Sequence, residues 1–385
     1  MLDLRIDGAR LLRETGEPEV GALGVRDGCL VVDCDGHDAK RAVRGDGFLL
    51  APGIIDIHGD AFERQIMPRP GVHFDMRLAL ADTDRQLVAN GITTAFHGVT
   101  YSWEPGLRGR DNCVALLDAL ESMQSRLGAD NQFHLRFETF NLDGAADVTE
   151  WLDANRVGIL AFNDHAQEIA AQVDVPKKVA DYAHRTGLDV PEFTDLVERV
   201  VARADEVPAM TANLAEHARS HGIAMLSHDD PDPETRASYR ALGCLVAEFP
   251  ETEDTARAAR QAGDDVVMGA PNVVRGGSQR SAVGAADLVV QGLCDVLASD
   301  YYYPAQLQAA FRLVREGSLT LPDAWALIAA NAAHAAGLTD RGVLADGKRA
   351  DVVLVDDRDI TLPRIAATYV AGATTFLSDD VLLAA

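Results

Sequence analysis

The chain has 385 residues, 47% hydrophobic and 25% charged, a globular composition that argues against disorder. Sixty acidic against 35 basic residues give a formal net charge of −25, which repels polyanions and makes nucleic acid a poor partner. No apolar run reaches the roughly 18 residues that cross a bilayer, and residues 1–7 are too charged for a signal peptide. A cytoplasmic protein without a membrane partner is therefore expected, with a homodimer left open.

Residues 1–52 carry short β-rich runs and turns such as Gly24-Val25-Arg26-Asp27-Gly28. The same texture returns at 340–385, around Ala350-Asp351-Val352-Val353-Leu354-Val355. Neither segment buries a core alone, so together they predict one small β-domain built from both termini. Between them, 53–339 alternates β-rich runs with helical stretches. Strands are predicted at 53–58, 92–99, 134–139, 158–163, 223–227, 245–249, 266–269 and 295–299. Helices are predicted at 111–127, 210–220, 252–262 and 305–315. Eight such strands imply a (β/α)8 barrel. The segment 166–207 reads as long, charged and irregular, an insertion or lid over the barrel mouth.

The five cysteines, Cys29, Cys34, Cys113, Cys244 and Cys294, are scattered and odd in number. They read as reduced thiols, not as disulfides or a structural zinc site. Chemistry in such a barrel sits at the C-terminal ends of the strands. There the chain places His58-Gly59-Asp60, Glu138, Asn163-Asp164-His165, Ser227-His228-Asp229-Asp230 and Ser299-Asp300. His58 and Asp60 are two apart and point to one side of a strand. Taken singly each has a plain reading: a hydrogen-bonded histidine, Asp300 capping a helix near Pro304, Glu138 paired with Arg136. Recurring in barrel order, imidazole and carboxylate point to a catalytic metal site.

Other candidates carry less. His217 and His221 are four apart, a metal-compatible spacing, but they sit in a last helical turn closed by Gly222, where histidine suits the helix dipole. His97 ends a predicted strand and suits pocket lining or core packing equally. Gly342-Val343-Leu344-Ala345-Asp346-Gly347-Lys348-Arg349 approaches a phosphate-binding loop, yet Arg349 lacks the hydroxyl and a strand follows where a helix is needed. It reads as a turn.

Pro52-Gly53-Ile54-Ile55-Asp56-Ile57-His58 resembles the opening strand of the amidohydrolase superfamily. His58-Gly59-Asp60, in place of His-x-His, resembles the family of ribosyl methylphosphonate triphosphate diphosphatases of the C–P lyase pathway. Further matching strings are Met67-Pro68-Arg69-Pro70, residues 224–230, Ala247-Glu248-Phe249-Pro250, residues 268–278 and Ser299-Asp300-Tyr301-Tyr302-Tyr303-Pro304. The resemblance departs after His165, where Ala166-Gln167-Glu168-Ile169 replaces a Ser-Pro-Gly-Gln-like turn.

The resemblance implies a barrel with a β-sandwich from both termini. It also implies a two-metal site on His58, Asp60, His165, His228 and Asp300. The chain has four lysines, Lys40, Lys177, Lys178 and Lys348, none at an inner strand end, so Glu138 replaces the carbamylated lysine common in the superfamily. Two divalent ions are expected, zinc by default, with Mn²⁺, Fe²⁺ or Ni²⁺ also compatible. Three ligand carboxylates against two such ions leave a net positive spot. Asp300 is the expected base, and Arg69, Arg275, Gly276, Gly277 and Ser278 the expected cradle for a phosphorylated small-molecule substrate. The implied reaction hydrolyses a ribose 5-triphosphate 1-methylphosphonate to release pyrophosphate. The alternatives are an amidohydrolase acting on an N-acyl or cyclic amide bond, and a non-catalytic scaffold.

Overall fold

The structure, a computed structural model, describes residues 1–69, 71–276 and 284–378 and the backbone of 383–384. Pro70, Gly277 and Ser278 lie outside the described residues.

Among the described residues, seventeen strands form two sheets. From the N-terminal segment come β1 (Leu4–Leu11), β2 (Glu19–Arg26), β3 (Cys29–Val31), β4 (Ala42–Arg44) and β5 (Leu49–Pro52). The central region supplies β6 (Ile54–Gly59), β7 (Ile92–Tyr101), β8 (Asp130–Glu138), β9 (Ile159–Asn163), β10 (Ala224–His228), β11 (Val246–Glu248), β12 (Asp265–Gly269) and β13 (Val296–Ala298). The C-terminal segment adds β14 (Val352–Asp356), β15 (Arg364–Val370), β16 (Ala373–Leu377) and β17 (Leu383–Ala384).

The terminal strands make a mixed nine-stranded sheet in the order β16-β15-β14-β5-β1-β2-β3, with β4 beside β1 and β17. Antiparallel pairing of β14 with β5, Leu354 opposite Leu50, joins the two ends of the chain. Alternation along β1 buries Leu4 and Ile6 while Arg5 and Asp7 reach solvent, so the buried face meets Leu23, Val25, Leu50, Val352 and Leu354 in one core. Asp346 and Gly347 lie in a turn ahead of β14, with Gly347 at φ +76°.

The central strands are hydrogen-bonded in chain order, β6 to β13, as an eight-stranded sheet. The pairs β8–β9, β9–β10, β10–β11 and β12–β13 are parallel. The strands are buried end to end, which explains their continuous apolar runs where a one-sided sheet would alternate. A bridge between Gly59 and Asp300 links the first and last strand ends and curls the sheet nearly into a barrel.

The chain divides into two compact units. The first holds Met1–Phe96, Met123–Asn131 and Asp265–Ala385; the second holds His97–Ser122 and Gln132–Asp264. In the first, the Gln306 side chain donates to the carbonyls of Ile55 and Leu297, and Trp325 donates to that of Pro52. These buried amide and indole donors hold β6 and β13 by their backbones.

In the second, 166–207 is not irregular as its charge suggests. It forms three helices, Ala166–Gln172, Pro176–Thr186 and Val190–Val201. Val179 and Ala183, then Phe193 and Val197, repeat four apart and close a core with Ile169. Asp189 and Glu192 form a reciprocal capping box that starts the third helix. Charge on the solvent faces hid this apolar period.

Candidate active site

In the first unit, β6 carries Asp56 and His58 on one face, both buried, and the chain then runs to Asp60. Asp300 lies two residues beyond the end of β13. Its N–H donates to the His58 carbonyl at 2.9 Å, and the Asp60 N–H donates to the Asp300 carbonyl at 3.0 Å. The backbone of Asp300 is thereby held between His58 and Asp60. It takes a left-handed φ of +56°, a strained conformation that aspartate tolerates better than most residues. A Cβ on Gly269 would sit 3.0 Å from Asp300 Oδ2, so the glycine leaves room for the carboxylate. Asp300 does not cap the following helix, whose N-cap is Pro304.

Arg275 ends the short helix Ala270–Arg275, and its guanidinium donates to the Tyr301 hydroxyl at 3.1 Å, one residue from Asp300. Gly276 follows it at φ +76°. Arg69 is exposed on a turn bridged to Val72. Arg64, which the sequence reading missed, donates to the Tyr301 carbonyl and adds a cation to this side. Buried Tyr303 has no hydrogen-bond partner for its hydroxyl.

In the second unit, Glu138 is the last residue of β8 and is buried. One of its oxygens lies 2.7 Å from His165 Nδ1, and the other accepts the His165 N–H at 3.2 Å. His165 Nε2 lies 3.3 Å from Asp229 Oδ2, and His228 Nδ1 lies 3.2 Å from the same oxygen. Glu248, at the end of β11, approaches His228 and His134 at 3.8 Å each. The structure thus brings Glu138, His165 and His228 together and adds Asp229 to them. Arg136 shares the inward face of β8 with Glu138 and is buried. Glu138 is engaged by His165, and the field of Arg136 falls on His228 and Asp229.

The electrostatics follow from these contacts. Burial would raise Glu138, but the His165 hydrogen bond and charge outweigh it and hold the carboxyl down at about 2. Burial opposes protonation of His165, yet Asp229 and Glu138 raise it to about 9. His228 is lowered to about 4 by burial and by Arg136. Asp229 resists burial through His228 and His165 and stays well below the usual carboxylate range.

Asp229 follows His228 directly, and on an extended strand neighbours face opposite sides. Its φ of +58° breaks that rule and swings the carboxylate toward the histidines. Phe249, just past β11, is left-handed too, at +54°, and packs edge-on against His228 with ring centroids 5.3 Å apart. Strained backbone therefore recurs just past the ends of β10, β11 and β13.

No family model matches the chain. It is 33% identical over 361 residues to α-D-ribose 1-methylphosphonate 5-triphosphate diphosphatase from Escherichia coli K12, covering 92% of this chain and 95% of that one. The chain belongs to that enzyme's family. Among solved structures it resembles dihydropyrimidinase from Brevibacillus agri, with a TM-score of 0.63 at 13% identity, covering 97% of this chain and 95% of that one. It also resembles an adenosine deaminase from Xanthomonas campestris with bound zinc, TM-score 0.61 at 13% identity, covering 99% and 94%. At those identities the likeness establishes the shared fold.

The donors in the second unit suit a divalent ion. Donor atoms of His165, His228 and Asp229 lie within 4.8 Å of one another. Imidazole nitrogens with carboxylate oxygens are the set that zinc and its neighbours prefer. Both polar atoms of buried Asn163, two residues before His165, have no hydrogen-bond partner. Beside the ends of β7 and β8 the second unit opens a cleft of about 1250 Å³, lined among others by Ser102, Asn141, Glu192 and Arg203. The helix Val190–Val201 forms one wall of it. No helix among the described residues is long and apolar enough to cross a membrane.

Proposed function

We propose that this amidohydrolase is a two-metal diphosphatase. It hydrolyses α-D-ribose 1-methylphosphonate 5-triphosphate to 5-phospho-α-D-ribose 1-methylphosphonate and pyrophosphate. The reading is carried by the 33% identity, nearly end to end, with the E. coli enzyme of that name. It assigns His58, Asp60, Glu138, His165, His228 and Asp300 to a pair of divalent ions, zinc foremost, and adds Asp229 as a further donor. When bound, such a pair makes water nucleophilic near neutral pH.

The protein's own groups supply the rest. Asp300 takes the proton of the attacking water and returns it to the leaving pyrophosphate. The new bond forms at the α-phosphorus, and the bond to the α–β bridging oxygen breaks. Asp229 corrects the expected charge count: a fourth ionised carboxylate balances two divalent ions, so no net positive spot remains. Attraction for the triphosphate then falls to arginines, with Arg275 and Arg64 at Tyr301 and Arg69 on its exposed turn, helped by Gly276, Gly277 and Ser278.

The test is phosphorus NMR of the metal-replete protein with the triphosphate substrate. Pyrophosphate release, lost in His58→Ala, is the expected result. Orthophosphate would place the attack on the terminal phosphorus. No release from a metal-loaded protein would overturn the reading and favour N-acyl or cyclic amide substrates.

A further inference from the structure

We propose a second metal site on the surface of the second unit, formed by Asp153, His217 and His221 and suited to zinc or a similar transition-metal ion. Asp153 is the last residue of the helix Ala145–Asp153. His217 lies in the last turn of the helix Val207–Ser220, and His221 caps that helix. One carboxylate oxygen of Asp153 lies 2.8 Å from His217 Nε2 and 3.3 Å from His221 Nε2. The three donor atoms fall within 4.8 Å of one another. Two imidazoles one helical turn apart and a carboxylate make a three-donor face that leaves coordination positions to water.

The hydrogen bonding of His221 points to a cation at this place. Its Nδ1 lies 3.0 Å from the carbonyl oxygen of His217, which only accepts, and 3.2 Å from the Ser220 hydroxyl, which gives its own proton to that carbonyl at 2.7 Å, so Nδ1 is placed to donate. In the neutral ring Nε2 then presents a lone pair to a carboxylate oxygen 3.3 Å away. Those two acceptors repel unless a cation lies between them or the ring takes a second proton. A backbone carbonyl on the far nitrogen is also the contact that orients metal-bound histidine. Two helices end here, and their C-terminal partial charges favour a cation.

Access is not an obstacle. The side chains are 59% exposed for Asp153, 31% for His217 and 25% for His221. His217 also lines a groove of about 610 Å³ between the two helices. An ion here would cross-link their C-terminal ends, a tie between residues 153 and 217 that the sequence reading did not foresee. The site shares no residue with the candidate active site, so it stands or falls independently of the diphosphatase reading.

The experiment compares untagged full-length protein with His217→Ala/His221→Ala and with Asp153→Asn. Each is chelator-stripped, dialysed against Zn²⁺, and measured for bound zinc and for its zinc-dependent rise in Tm. The double variant should bind one zinc fewer per chain, with a smaller rise in Tm and unchanged turnover. Asp153→Asn, which keeps a hydrogen-bonding oxygen but loses the charge, should weaken that zinc by roughly ten-fold or more. Unchanged zinc content and Tm rise in the double variant would overturn the proposal and leave an imidazolium–carboxylate pair.

Discussion

Asp56 and Ser299 are joined twice: the carboxylate of Asp56 accepts the Ser299 N–H at 2.9 Å and the Ser299 hydroxyl at 2.5 Å. The pair ties the first barrel strand to the end of the last, two residues from His58 and one from Asp300. Both side chains are buried, so no water replaces a lost hydrogen bond. Ser299→Ala should therefore destabilise the protein by about 1.5–3 kcal/mol. It should also lower kcat by displacing Asp300. Urea unfolding and steady-state kinetics check both, and unchanged values would remove the pair from any positioning role.

Asp300→Asn keeps the shape of the strand end and removes the proposed base. Turnover should fall by about 10²–10⁴-fold while metal content stays close to wild type. Metal analysis beside single-turnover rates separates a lost base from a lost ion. Near wild-type rates would exclude the assigned role.

Arg275→Ala removes a guanidinium that donates to the hydroxyl of Tyr301, the residue after Asp300 in the chain. A charge-assisted contact to phosphate is worth about 1.5–3 kcal/mol, so kcat/KM for the triphosphate should drop roughly ten- to hundred-fold. Arg69→Ala should act in the same direction. If neither changes kcat/KM, the triphosphate is bound elsewhere or is not the substrate.

Arg236 is a buried keystone of the second unit. Its guanidinium meets Ser227, Asp230, the carbonyls of Cys244 and Val246, and Asp264. Arg236→Met would leave the buried carboxylates of Asp230 and Asp264 without this partner and should cost about 3–5 kcal/mol. Chemical denaturation measures it. A loss under about 1 kcal/mol would mean that neighbouring groups, Arg240 among them, already neutralise Asp264.

Asp130 gives the first unit a pH-dependent contribution. Burial would raise its carboxyl, but hydrogen bonds from Arg341 and Arg349, each at 2.6 Å, bring it below the usual range. The unfolded chain then holds this proton more readily than the folded one. The stabilisation is present above the unfolded value near 4 and is lost as pH falls through the folded value. Asp130→Asn should be less stable than wild type at pH 7, with the gap closing below about pH 4. A constant gap in urea midpoints across that range would contradict the assignment.

Much of the architecture was legible because its signals are local. A β run every few dozen residues, separated by helical periods, announces parallel βα units whatever the partner strands are. Ligand-type residues at strand ends, His58, Glu138 and His228 among them, could be found by asking what closes each run. The helices of 166–207 were misread as irregular for a local reason as well. The capping box at Asp189 and Glu192 and the spacing of Phe193 and Val197 were present, but the charged residues of the solvent faces masked them.

The sequence by itself determined the alternation of strands and helices, the strand-rich termini and the residues that end the inner strands, since periods of two and 3.6 need only neighbouring residues. Only the tertiary structure decided which donors converge. Asp229 reaches His165 and His228 because its backbone turns left-handed, against the alternation expected of a strand. Asp153 meets His217 across 64 residues because two helices end together. Such meetings depend on where the folded chain turns and packs, and no local period encodes them.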